Sequence, residues 1–66
     1  MKTYNVILTS QITGRITEEY QGVTMDDILR IIEKHGNDQM PVDIDSLMRG
    51  DSCELNPDSY IRVEKA

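Results

Sequence analysis

The chain has 66 residues, 12 of them acidic and 7 basic, for a net charge of −5. A single domain of this size buries only about 60% of its unfolded surface, so its stability margin is thin and association with a second chain is an expected support. The lone cysteine, Cys53, excludes an internal disulfide and points to a reducing compartment. No apolar run approaches the roughly 18 residues of a membrane span, and no secretory apolar region follows Met1-Lys2-Thr3-Tyr4. The cytosol is therefore the expected location, with no membrane partner. Trp and Phe are absent, so the core must come from Ile, Leu, Val and Met.

Residues 3–9 alternate as a strand, with Tyr4, Val6 and Leu8 on one side and Asn5, Ile7 and Thr9 on the other. Ile7 makes the second side partly apolar, as in a central strand. Thr13-Gly14 supplies a reversal. Arg15 to Gln21 reads as a second, antiparallel strand, with Ile16, Glu18 and Tyr20 on one face, Thr17, Glu19 and Gln21 on the other, and Gly22 as its end.

The stretch 24–36 is where the local signals agree. Thr24 is a good N-cap, and Asp27 stands where a capping box wants an acceptor. Asp26 and Asp27 suit the positive end of the helix dipole, and Lys34 and His35 the negative end. Met25, Ile28, Leu29 and Ile32 fall at i, i+3, i+4 and i+7 and predict the buried stripe, which Ile31 widens. Asp26 and Arg30 are spaced for an ion pair. Gly36 is expected to close the helix in the left-handed conformation, and Val23 to staple onto Ile28.

Beyond a polar loop, Val42 to Arg49 fits either a helical turn capped by Asp43 or a short strand; the spacing of Ile44, Leu47 and Met48 favours the turn. Ser52 to Leu55 reads as a short edge strand. Asn56-Pro57-Asp58-Ser59 is a turn by composition, and Tyr60 to Lys65 is the last strand. The fold class is α+β: an antiparallel sheet of three or four strands in ββαββ order, with one helix across one face. The open face would carry Thr17, Glu19, Tyr60, Arg62 and Glu64 around Ile7.

Charge is unevenly placed. Between Gly36 and Asp58 the acids are Asp38, Asp43, Asp45, Asp51, Glu54 and Asp58, against Arg49 alone. Six minus one accounts for the whole imbalance. Such a surface disfavours direct nucleic-acid binding, which needs Lys and Arg, and suits a basic partner protein. Catalytic signals are missing. Asp43, Asp45 and Glu54 imitate part of a calcium loop, but Leu47 and Gly50 fall at the wrong positions. Arg49-Gly50-Asp51 reads as a turn. His35 and Cys53 are the one nucleophilic couple the composition allows, yet nearby acids oppose a reactive thiolate. No enzyme, metal site or cofactor is expected.

The order Tyr4-Asn-Val-Ile-Leu, Ile16 to Tyr20, the helix start Thr24-Met-Asp-Asp-Ile-Leu and the ending Leu55-Asn-Pro-Asp-Ser-Tyr60-Ile-Arg-Val-Glu64 resembles the small ββαβ(β) proteins of phages and mobile elements. These are the DpnD/PcfM-like family and some anti-CRISPR proteins. The resemblance implies a mobile-element accessory protein acting by binding in the cytosol of a bacterial host. The chain departs from it by a longer insert, roughly residues 36–54. The expectation is an acidic inhibitor docking on a basic surface of a host defence or nucleic-acid-processing complex, through Asp38, Asp43, Asp45, Asp51, Glu54, Asp58, Glu19, Tyr60 and Arg62. A homodimeric regulatory subunit paired through an edge strand is the first alternative, and a small-molecule or metal-binding module the second.

Overall fold

The computed structural model describes residues 2–37, 39 and 41–65. The order is β1 (Tyr4–Ser10), β2 (Ile16–Val23), α1 (Met25–His35), α2 (Ile44–Met48), β3 (Cys53–Asn56) and β4 (Ser59–Lys65). All neighbouring strands are antiparallel, in the order β2-β1-β4-β3. The α+β expectation holds, and β1 is central, as Ile7 suggests. Asp43 caps α2, accepting from the backbone N–H of Asp45 at 3.1 Å and of Ser46 at 3.3 Å, so the ambiguous segment is helical.

The core is a single aliphatic cluster: Val6 and Leu8 from β1, Ile28 and Ile31 from α1, Leu47 from α2, Leu55 from β3, and Ile61 and Val63 from β4. Alternation in β1 and β4 sends these residues to one face and leaves Asn5, Ile7, Thr9, Tyr60, Arg62 and Glu64 on the other. Both helices contribute to the buried face, so among the described residues the second face is uncovered.

Several local expectations change. Gly22 does not end β2. It lies within the strand at φ +65°, at a register shift where Tyr4 pairs with Val23 but Val6 pairs with Tyr20. This is a β-bulge, for which glycine supplies the left-handed residue. A second shift sets Leu8 opposite Glu18 but Thr9 opposite Ile16, which removes Ile16 from the core row and leaves it 54% exposed.

The buried seam of α1 is also rotated from the expected stripe. Ile28 and Ile31 are buried, Ile32 is half-buried, and Met25 and Leu29 are exposed. Five apolar residues span more arc than one contact needs. The polar flank of Thr24, Asp27 and His35 sits half-buried because its groups find partners. The Asp26–Arg30 ion pair does not form among the described residues; Arg30 instead lends its charge to Asp27.

The capping box is complete. The Asp27 N–H donates to the Thr24 hydroxyl, and the Thr24 N–H donates to the Asp27 carboxylate at 3.1 Å. Hydrogen bonds from the Thr24 backbone and side chain, and the charge of Arg30, hold the Asp27 carboxyl below the usual aspartate range. A carboxyl lowered by folding stabilises above its unfolded pKa of about 3.9 and loses that contribution as pH falls through its folded value. Thr24→Ala is therefore expected to cost about 1 kcal/mol at pH 7. The gap from wild type should start to narrow below about pH 3.9 and be smallest below the lowered folded value, leaving only the bond from the Asp27 N–H to the Thr24 hydroxyl, as urea melts at pH 7 and in acid would show.

Gly36 is extended, at φ −76° and ψ 174°, rather than left-handed. Its N–H donates to the Ile32 carbonyl at 2.7 Å, and a β-carbon there would run into that same oxygen. Glycine is needed for close approach, not for handedness. Gly36→Ala should destabilise by roughly 1–3 kcal/mol, as overpacking against rigid backbone does. An unchanged thermal midpoint would refute the contact.

Candidate protein interface

The predicted contact residues fall in three places. Asp38 lies outside the described residues. Asp43, Asp45 and Asp51 surround α2. Of these, Asp43 is occupied as the cap, Asp51 lies 4.0 Å from the Arg49 guanidinium, and Asp45 is exposed in the first turn. Asp58 sits in the two-residue turn between β3 and β4, where its N–H donates to Asn56 Oδ1 at 2.8 Å and its carbonyl accepts from the Gln11 N–H at 2.8 Å.

Glu54, Tyr60, Arg62 and Glu19 lie on the uncovered sheet face. Glu54 pairs with Tyr60, Tyr60 with Thr9, and Ile7 stands between Glu19 and Arg62. Arg62 reaches Glu64 at 3.0 Å. The acidic 36–58 segment is therefore not one surface. Glu54 joins the sheet face, and the turn of Asp58 packs beside the β1–β2 loop.

Next to the Gly22 bulge the uncovered face holds an open cleft of about 160 Å³, whose lining includes Asn5, Ile7, Glu19, Gln21 and Glu64. Asn5 Oδ1 accepts from the Gly22 N–H at 3.2 Å, fixing one wall. Arg62 compensates Glu64, whereas Glu19 has no ion-pair partner among the described residues.

No family model, curated protein or solved structure matches the chain.

On the helix side, Glu18, Tyr20 and His35 converge. The Tyr20 hydroxyl donates to Glu18, and His35 Nε2 lies 3.5 Å from both the Tyr20 oxygen and the Glu18 carboxylate. The hydrogen bond to Glu18 raises the Tyr20 pKa above its ordinary value, with burial and the carboxylate charge adding to it. The cluster clips the end of α1 to β2. Asn56 Nδ2 makes a parallel tie, donating to the His35 carbonyl at 2.8 Å. In the sequence His35 stands at the helix dipole and as the one possible couple for Cys53, and contacts 15 and 17 residues distant have no local signal.

His35 thus partners Glu18 and Tyr20. The Cys53 thiol has a raised pKa, through burial first and then the charges of Asp43 and Asp51. Among the described residues, no group of three metal-ligating side chains converges, and no helix is long and apolar enough to cross a membrane.

Proposed function

We propose that the chain is a non-catalytic binding module that docks on a basic surface of another protein. The observation that carries this reading is the uncovered sheet face, where Glu19, Glu54 and Glu64 outnumber Arg62 around the apolar Ile7 and the half-exposed ring of Tyr60. An aromatic and an aliphatic residue inside an acidic surround provide contact area together with charge selection. The acids of α2 extend the same sign of potential.

In its specific form, the module is a mobile-element inhibitor whose carboxylates occupy Lys and Arg positions that a nucleic-acid-processing complex keeps for phosphates. The net charge and the family resemblance support that form.

Immobilised chain should retain a basic protein from bacterial lysate at about 0.05 M salt and release it by about 0.5 M, since exposed charge pairs are screened over that range. A Glu19→Gln, Asp45→Asn, Glu54→Gln variant should lose the retention. Capture that is indifferent to both salt and these substitutions would overturn the reading.

A further inference from the structure

The two outer strands are unlike. β3 has four residues and touches α1. β2 has eight, every one exposed or half-exposed. Among the described residues its side away from β1 has no neighbouring strand, so alternate backbone N–H and C=O groups point outward as a template for strand addition.

Charge selects among the occupants. A second copy pairing antiparallel over residues 16–22 about a two-fold axis would set Glu19 directly opposite the partner's Glu19. Like charges directly opposite destabilise a ladder. A strand bearing Lys or Arg meets the reverse situation. Glu19 has no ion-pair partner among the described residues and faces the cleft beside β2, where Ile7 offers apolar surface to the methylene stem of a long cation, and Asn5 and Gln21 offer amide oxygens.

We propose that the β2 edge takes an extended, Lys/Arg-bearing segment of a partner protein as a fifth strand, with one cationic side chain crossing into the cleft onto Glu19. This rests on the binding-module reading above and names the chemistry of its partner.

The probe is a blocked peptide of about eight residues alternating Thr with Arg. A peptide of equal charge interrupted by Pro cannot form a ladder, and a Thr–Glu peptide reverses the sign. Amide hydrogen exchange followed by NMR gives the readout. The Thr–Arg peptide should slow exchange of outward amides within residues 16–23 on the order of tenfold, and the other two should not. Glu19→Lys should weaken binding on the order of tenfold, and Glu19→Gln by about threefold, while Glu33→Lys, exposed on α1, leaves it unchanged. The amide spectrum of each variant reports that it is folded.

Equal binding of the Pro-interrupted peptide, or protection confined to α2, would overturn strand addition while leaving a basic partner in place. Protection of β2 without peptide, in a concentration-dependent dimer, would give the edge to a second copy and also overturn the proposal. Binding of neither basic peptide at low salt overturns it too, and the lysate capture then decides the broader reading independently.

Discussion

Ile28→Asp is expected to leave the chain unfolded at neutral pH, with a far-ultraviolet spectrum lacking helix and collapsed amide dispersion. Ile28 is fully buried at the centre of the core, between the sheet and the rest of α1. Removing a buried Ile side chain typically costs about 2–5 kcal/mol, and burying an unpaired carboxylate adds several more. A 66-residue domain has roughly 3–10 kcal/mol to lose. Because α1 at 11 residues is marginal by itself in water, it does not survive the loss of its packing. A well-dispersed spectrum from this variant at pH 7 would place the buried seam elsewhere on α1.

Leu47→Ala is expected to lower stability by about 2–5 kcal/mol without removing the sheet. Leu47 is the buried residue of α2, and α2 packs against β4. A five-residue helix has no independent stability, so the anchor decides whether residues 43–49 are held at all. Hydrogen exchange should show amides of α2 opening well before those of β1 and β4, and the urea midpoint should fall accordingly. A loss under about 1 kcal/mol would mean that α2 is held by its caps rather than by its core contact.

The architecture was readable because the apolar spacing was unambiguous where it mattered. Val6 and Leu8, Ile61 and Val63, and the Thr24–Asp27 box each have a single sensible placement. The second helix was one of two readings of residues 42–49, with Asp43 and the spacing of Ile44, Leu47 and Met48 favouring it over a short strand. The rotation of α1 was not readable, since five apolar residues fit several faces, and the contacts of His35 with Glu18 and Tyr20 that accompany the observed face are long-range. The bulge at Gly22 had its clue, a lone glycine inside a strand pattern, but that clue also fits a strand end. The site was legible only as a set of residues. Glu19, Tyr60 and Arg62 come together as alternation requires, whereas Glu54 leaves the acidic loop for the sheet because β3 pairs with β4. The cleft at Asn5 and Gln21 depends on a register slip that no periodicity records.

The middle of the sheet joins Tyr4 to Lys65 and Ser10 to Ser59. During translation β1 therefore has no second neighbour until β4 has left the ribosome. The β1–β2 hairpin can form early, but Val6 and Leu8 then wait with one side bare. Assembly is consequently all-or-none and late, and a chain stalled before Ser59 presents an open, sticky ribbon to chaperones and proteases instead of a smaller version of the domain.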